Sequence, residues 1–269
     1  MSLIDKPTQE KILIIWTHYK KNRNTTKNVA PLFEEIDDKR LEAIKEINEM
    51  INLFVGNKIN VLEFKTNIDS YNKRNNLWGF TAAKGQMFFN LLTKSSEDKL
   101  TQFAKLLQSV VVEPTSLQDA LNKIKALFDY TAQFSSVSEQ KKKAANPKSA
   151  AYFLSYFWQI QNCEKWPVMY TSLIASFLDL GIWQDHTTAQ ENYNQFYVLN
   201  EQIKQLIQEN TNEKVTNWDV EHAFWRYAGT ASVNSKQLKK ISHKELTPVT
   251  IKVNPTVTNE VKVTNPGLH

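Results

Sequence analysis

The sequence predicts an all-α fold: a multi-helix globular domain of about nine or ten helices, followed by an extended, partly disordered or β-like C-terminal tail. From residue 8 to about residue 228, apolar side chains recur mostly at steps of three or four, the spacing of one face of an α-helix. The chain of 269 residues has 6 Gly and 8 Pro, whereas antiparallel β proteins usually need more of both for their tight turns. Apolar residues make up 41% of the chain, so a sizeable core is expected.

Candidate N-capping residues mark where most of the helices begin, because short polar side chains accept hydrogen bonds from the first free backbone N–H groups of a helix. In chain order, the residues that we predict at helix starts are Thr8, Pro31, Asn60, Ser95, Thr115 or Ser116, Thr188 and Thr216. Glu191 follows Thr188 by three residues and Asp219 follows Thr216 by three, which is the spacing of a capping box. The Gly-Asn pair at 56–57 is expected to end the second helix.

Two changes of composition divide the chain. Residues 135–149, SSVSEQKKKAANPKS, form a polar break between an N-terminal helical half and a C-terminal half rich in aromatic residues. The break predicts either one long loop or a subdivision of the helical domain, which we place at residues 1–230. Residues 231–269 are rich in Thr, Val, Asn and Pro and have little helical periodicity. We predict that they form a linker or tail toward a missing domain, so that the chain is a fragment of a longer protein.

The positive charge of the chain is concentrated at its C-terminal end. The net charge is +5, from 33 Lys and Arg against 28 Asp and Glu, and residues 231–269 contribute +4 through six Lys and two Glu. The predicted helical domain is therefore close to neutral. Contact with nucleic acid would need local basic patches or the tail.

The cysteine content and the N-terminal residues indicate in which cellular compartment the protein is located. The single cysteine, Cys163, excludes an internal disulfide and a structural zinc site built on cysteines. The first residues have neither the charge pattern nor the apolar run of a signal peptide, and no run approaches the length of a membrane helix. These features predict a soluble, cytoplasmic protein that does not bind a membrane.

The stretch LWGFTAAKGQMFFNLL, residues 77–92, can be read as a phosphate-binding loop or as a packing helix. A P-loop ends in Gly-Lys followed by a hydroxyl residue, whereas here Lys84 precedes Gly85 and Gln86 follows. A helix fits better, and Gly85 costs it about 1 kcal/mol relative to Ala, which is usually accepted where another backbone comes close. The face predicted to pack consists of Phe80, Ala83, Met87 and Leu91, with Phe88 and Leu92 beside them.

Two short segments supply the candidate catalytic residues. In VLEFK, Glu63 and Lys65 have the spacing of a metal-dependent nuclease, although Asn60 makes the segment look like a helix start. In WDVEHAFWRY, Asp219 and His222 are three residues apart, so that they would be able to hold a metal ion or move a proton. The alternative is that Asp219 stabilises a helix N-terminus and His222 joins it. We predict no metal site, no cofactor and no activity in this chain alone.

The segment AAYFLSYFWQIQNCEKWPVMY, residues 150–170, has aromatic residues nearly all round a helix. A helix that is apolar on every side is expected at the centre of a core. The alternative is a stacking platform for nucleic-acid bases, which requires exposed rings with basic neighbours. Only Lys165 lies close in the sequence, so the core is favoured.

Two basic clusters are the candidate nucleic-acid-binding residues, since helix ends and loops can approach phosphates easily. Their members are Lys20, Lys21, Arg23 and Lys27 in YKKNRNTTK, and Lys141, Lys142, Lys143 and Lys148 in EQKKKAANPK. The alternative interpretation of such charge runs is a solvated surface.

Taken together, LWGFTAAKGQMFFNLL, AAYFLSYFWQIQNCEKWPVMYTSL and NWDVEHAFWRYAG give the chain a resemblance to a helical N-terminal region of some bacterial restriction-type and McrB-like defence proteins. In those proteins a helical module precedes a nuclease or an AAA ATPase domain. The resemblance implies a non-catalytic module that binds or senses DNA or another nucleic acid for an effector nuclease or ATPase domain. The alternatives are a helical protein-interaction scaffold and a metal-dependent nuclease using Glu63 and Lys65.

Overall fold

The computed structural model describes residues 4–22, 33–135 and 144–228. These residues form ten α-helices and no strand, which confirms the predicted all-α fold class. The helices are α1 (Lys6–Asn22), α2 (Phe33–Val55), α3 (Val61–Asn75), α4 (Phe88–Ser95), α5 (Leu100–Val111), α6 (Leu117–Ser135), α7 (Ala150–Gln161), α8 (Thr171–Asp179), α9 (Ala189–Thr211) and α10 (217–228). A π-helical turn, Ala83–Met87, leads directly into α4, and two 3₁₀ turns, Glu97–Lys99 and Pro147–Ser149, precede α5 and α7.

The caps at three helix starts were predicted correctly. Asn60 and Thr188 each close a full capping box, with Glu63 and Glu191 as the returning carboxylates. At the start of α10 the Asp219 backbone N–H donates to Thr216 Oγ1 at 3.1 Å. Each of these caps satisfies backbone N–H groups that have no partner within the helix.

Two helix starts differ from the prediction. Thr8 lies inside α1, and its backbone N–H donates to Asp5 Oδ1 at 2.9 Å, because a carboxylate one turn earlier serves as the cap. Ser95 is the last residue of α4, and α5 begins at Leu100 without a side-chain cap. At the start of α6, Ser116 rather than Thr115 accepts the Asp119 N–H. The predicted start at Pro31 lies outside the described residues.

One hydrophobic core joins helices from both sides of the polar break. Helix α7 lies at its centre, in contact with α2, α5, α6 and α9. The side chains of Phe153, Phe157 and Trp158 on α7 are completely buried, which confirms the core prediction for the aromatic segment. Burial of each such ring contributes about 2–3 kcal/mol. Tyr152 is the exception, since it is only half-buried.

The predicted boundaries fall largely on residues that are not described. By contacts the chain separates into Met1–Thr230 and Ala231–His269, and the second unit, which holds the predicted tail, lies outside the described residues. The same holds for residues 136–143 of the polar break. The linker and a subdivision of the domain therefore stay predictions. Within the described residues, no helix is long and apolar enough to cross a membrane.

The stretch at 77–92 is helical only from Ala83 onward. Gly79 has a left-handed backbone with φ +62°, and the first helical turn is the π turn. The prediction for Gly85 was correct, because a Cβ there would lie 2.2 Å from the Phe80 carbonyl oxygen. The packing predicted for Ala83 was wrong, because Ala83 is exposed. The prediction for Met87 was also wrong. Its side chain is 57% exposed, because the π turn holds one more residue than an α turn and shifts the register of the helical faces.

Candidate ligand-binding cleft

Two adjoining cavities form a cleft at the segment that joins α3 to the π turn. The first, the Lys84 cavity, has a volume of about 200 Å³, and the second, the Arg40 cavity, has about 240 Å³. Trp78, Gly79 and Tyr170 line both of them. The Lys84 cavity is otherwise lined mainly by the π turn, by α7 and by the segment 168–171 that leads into α8. The Arg40 cavity is otherwise lined mainly by α2 and α10.

The backbone turn at residues 76–81 positions the shared wall. Asn76 ends α3 in the left-handed conformation, and its side-chain Oδ1 accepts the Thr81 backbone N–H at 3.2 Å. Gly79 continues the turn with its positive φ, a conformation that costs other residues about 1–2 kcal/mol. A Cβ at Gly79 would meet no atom within 4 Å, so the backbone angle, and not space, requires glycine there.

Lys84 carries the least compensated positive charge of the cleft. Its Nζ lies 3.4 Å from the centroid of the Tyr152 ring, and its side chain is half-buried. No carboxylate of the described residues pairs with it. Burial lowers the pKa of Lys84, and the more distant charge of Asp185 opposes that shift. A partly desolvated ammonium facing an aromatic ring is able to attract an anion that enters the cavity.

Tyr152 cannot neutralise this lysine at neutral pH. Burial, with a smaller contribution from the charge of Asp185, raises the pKa of Tyr152 to about 12. The phenol is therefore protonated, and its ring faces Lys84 through the π-electron cloud alone.

Arg40 is clamped between two indole rings in the wall of the second cavity. Its guanidinium carbon lies 5.2 Å from the Trp78 ring centroid and 5.5 Å from that of Trp218. Both indole N–H groups donate to Gln159 Oε1, at 2.9 and 3.0 Å, which holds the rings in place. Arg40 Nη2 donates to the Leu77 carbonyl at 2.8 Å. This arrangement joins α2, α7, α10 and the turn that forms the cleft.

Glu221 is the ionic partner of Arg40. Its Oε1 accepts from Arg40 Nη2 at 2.6 Å, and the two residues are only 8% and 3% exposed. Burial lowers the pKa of Arg40, but the charge of Glu221, the hydrogen bond to it and smaller contributions from other groups together raise it by more, so the pKa lies above its ordinary value. The pair is therefore a buried ion pair at the cavity wall.

Several polar atoms around the Arg40 cavity make no close hydrogen bond within the described residues. They are Arg40 Nη1, Glu221 Oε2, the Tyr170 hydroxyl and Gln159 Nε2. The Tyr170 hydroxyl and the Glu221 carboxylate are near enough to interact with each other. Asp37 Oδ1 lies 3.9 Å from Arg40 Nη1, too far for a hydrogen bond. Burial and the charge of Glu221 raise the pKa of Tyr170, so its hydroxyl is a neutral donor. Each unpaired buried group costs about 1–3 kcal/mol, which a polar ligand or water would recover.

The structure separates the predicted catalytic residues. Glu63 Oε2 accepts the Asn60 backbone N–H at 2.8 Å, and Lys65 pairs with Asp69 at 2.7 Å along the same helix. Helix α3, and not a strand, carries both of them. Their roles in capping and in an (i, i+4) ion pair are the ordinary ones for such positions.

Asp219 and His222 do not act as a pair either. Asp219 Oδ2 accepts from the Thr216 hydroxyl at 2.8 Å, whereas His222 Nε2 lies 2.7 Å from Asp37 Oδ1 on α2. Of the four predicted residues, His222 lines the cleft. Within residues 4–22, 33–135 and 144–228, no group of three or more His, Cys, Asp or Glu side chains is placed to hold a metal ion.

The basic clusters lie mostly outside the described residues. Arg23, Lys27, Lys141, Lys142 and Lys143 are not described. Lys20 pairs with Glu213 at 2.6 Å and lies above the Trp16 ring. Lys21 and Lys148 are exposed at a helix end and a 3₁₀ turn. The role of these clusters stays a prediction.

Sequence reasoning missed the residues that define the cleft. In the sequence Lys84 stands out only as part of a loop-like motif, because its contact with Tyr152 joins distant parts of the chain. For Arg40 a signal existed. It occupies the apolar register of α2, between Ile36 and Ala43, and a charged residue on that face is expected to have a buried partner. The partner, Glu221, lies 181 residues away.

No protein-family model, curated protein or solved structure matches this chain. The resemblance to restriction-type and McrB-like proteins therefore stays a prediction.

Proposed function

We propose that the helical domain is a non-catalytic nucleic-acid-binding or sensing module, and that nucleic acid binds in the cleft. The observation that carries the proposal is the half-buried ammonium of Lys84, which faces Tyr152 in a concave, aromatic-lined cavity and pairs with no described carboxylate. Phosphate is the anion that nucleic acids offer to such a cation.

Aromatic rings at the cleft support nucleic acid over a simple inorganic anion. Tyr152 and Tyr170 are partly exposed, and Trp225 at the edge of the Arg40 cavity is 50% exposed. Proteins that bind single strands combine cations along the phosphates with aromatic rings on which bases stack. A cleft with one cation that lacks an ion-pair partner among the described residues, and with three accessible rings, fits a short stretch of single-stranded nucleic acid better than a duplex.

The polar atoms of the Arg40 cavity that make no close hydrogen bond also favour the binding of a polar ligand. Arg40 Nη1 is a donor and Glu221 Oε2 is an acceptor. Their desolvation has already occurred during folding, so a ligand that supplies both kinds of partner gains affinity without that additional cost.

Fluorescence anisotropy with labelled single-stranded DNA, single-stranded RNA and duplex DNA tests this proposal. Lys84→Gln is expected to weaken single-strand binding about tenfold, the effect of losing about 1.4 kcal/mol of interaction with one phosphate. Because each neutralised phosphate on a single strand contributes about −0.7 to the slope of log K against log salt, the variant should make that slope less negative by about 0.7.

Lys125→Gln is the matched control, because Lys125 is an exposed lysine on α6 that pairs with Asp129 and lines neither cavity. It should leave affinity and salt slope unchanged. No retention of any of the three nucleic acids at low salt would overturn the proposal. Equal losses of affinity in both variants would show that binding depends on general surface charge, and they would refute the assignment of binding to the cleft.

In this proposal the effector is a nuclease or ATPase in a following domain or in a partner protein, as the resemblance to restriction-type and McrB-like defence proteins implies. The second candidate function is the protein-interaction scaffold. Large apolar side chains on several helices favour it, since Ile14, Leu41 and Leu178 are each more than 50% exposed. Sedimentation of the domain with and without DNA discriminates, because a scaffold gives a salt-insensitive assembly that ignores DNA.

A further inference from the structure

We propose that a second site, separate from the cleft, docks an acidic amphipathic peptide segment of a partner protein. The site is a groove between α5 and the turn that joins α2 to α3, and we call it the α5 groove. Its volume of about 540 Å³ exceeds that of either cavity of the cleft. The inference goes beyond the proposed function and does not depend on it.

Hydrogen bonds fix the two sides of the groove relative to each other. The side-chain Nε2 of Gln108 on α5 donates to the Phe54 carbonyl at 2.8 Å and to Asn57 Oδ1 at 2.9 Å. Asn57 itself is fixed in the left-handed conformation, with φ 57°. The capping box of Asn60 fixes the adjoining start of α3. The groove is thus preformed, which limits the entropy that a ligand loses on docking.

The floor and one wall of the groove are apolar. Phe54 and Val61 are buried beneath it, whereas Leu62 is 45% exposed at its edge. Ile59, Leu100 and Ala104 are partly buried and also line it. Apolar side chains at helical spacing on a partner segment would cover this surface, as in other helix-in-groove complexes.

The charge of the groove indicates the charge that its partner carries. Lys58 and Lys105 are exposed along it, and neither side chain makes a hydrogen bond or an ion pair with the described residues. Among the residues that the structure describes, no acidic side chain lines the groove. Because opposite charges across an interface favour association and like charges oppose it, the complementary partner is acidic.

A peptide fits this groove better than a nucleic acid does. Phe54 is the only aromatic ring of the described part of the chain that lines the groove, and it is completely buried. None of these described residues therefore offers a ring for stacking with bases. Apolar contacts flanked by charged residues are the usual composition of a protein interface.

The test uses a fluorescein-labelled peptide of about 15 residues with Leu at helical spacing and Glu elsewhere, long enough for four turns. A control peptide has Lys at each Glu position. We expect the acidic peptide to bind the intact chain, and the double variant Lys58→Glu/Lys105→Glu to weaken binding about fivefold or more. Leu62→Ser should weaken it without altering the circular dichroism spectrum, because Leu62 is nearly half exposed.

Lys125→Glu, which reverses a charge outside the groove, should leave peptide binding unchanged. Lys84→Gln should also leave it unchanged, which separates this site from the cleft. Three results would overturn the inference: no saturable binding of the acidic peptide at low salt, equal binding by the double variant, or preference for the lysine peptide. Competition by single-stranded DNA that is lost in the double variant would assign the groove to nucleic acid instead.

Discussion

Glu221→Ala removes one half of the buried ion pair at the wall of the Arg40 cavity. The change breaks the 2.6 Å contact between Glu221 Oε1 and Arg40 Nη2. Arg40, which is 3% exposed, stays charged in the variant and keeps its hydrogen bond to the Leu77 carbonyl. Its nearest remaining carboxylate oxygen is Asp37 Oδ1, 3.9 Å from Nη1 and already engaged by His222.

The expected loss follows from that remaining environment. Removing one partner of a buried ion pair typically costs about 3–5 kcal/mol, because the other charge is left uncompensated. Asp37 retains part of the compensation, so we place the loss at the lower end, about 3 kcal/mol. For a domain of this size that corresponds to a decrease in Tm of about 6–12 °C.

Urea denaturation followed by far-ultraviolet circular dichroism measures this loss. The control is Glu164→Ala, which breaks the ion pair to Lys214 on the surface, where both side chains are more than 70% exposed. It should change stability by less than about 1 kcal/mol. The double variant Arg40→Met/Glu221→Leu should recover part of the loss, since no charge is then buried. Equal effects of Glu221→Ala and Glu164→Ala would refute the reasoning.

The other predictions concern Tyr170, Gly85, Gly79 and Lys84. Tyr170→Phe removes a buried hydroxyl that interacts with Glu221 but makes no close hydrogen bond, so the free energy of unfolding should fall by less than about 1.5 kcal/mol. A loss in urea denaturation as large as that of Glu221→Ala would contradict this geometry. Gly85→Ala should lower the free energy of unfolding by about 2 kcal/mol or more, because its Cβ would lie 2.2 Å from the Phe80 carbonyl oxygen. Gly79→Ala should lower it by only about 1 kcal/mol, because only the positive φ opposes alanine there. Equal decreases in Tm for the two variants would contradict this difference. In an NMR titration of lysine Cε resonances, Lys84 should titrate at lower pH than exposed lysines, since burial lowers its pKa; a midpoint at or above theirs would exclude the half-buried position.

The local features of the fold were readable from the sequence because their causes are local. A capping box involves residues three apart, so Asn60 with Glu63 and Thr188 with Glu191 are visible in the chain itself. The all-round aromatic character of α7 likewise indicates the core. The π turn was not predictable, since residue spacing alone does not reveal the extra residue that exposes Met87.

The cleft depends on contacts between residues far apart in sequence. Arg40 on the apolar register of α2 indicated that a buried partner exists, but helical periodicity carries no information on which of the acidic residues it is. His222 illustrates the same limit. The nearest carboxylates in sequence are Asp219 and Glu221, yet its ring nitrogen meets Asp37, because the packing of α10 against α2 decides the pairing.

The π turn at Ala83–Met87 makes the cleft sensitive to a change of a single codon. Deleting one residue from the turn would restore regular α-helical winding and rotate the residues before the deletion by about 100° relative to α4. Helix α4 could keep its packing while Lys84 turned away from Tyr152. Insertions and deletions at this point would therefore let related chains acquire or discard the cation without rebuilding the hydrophobic interior.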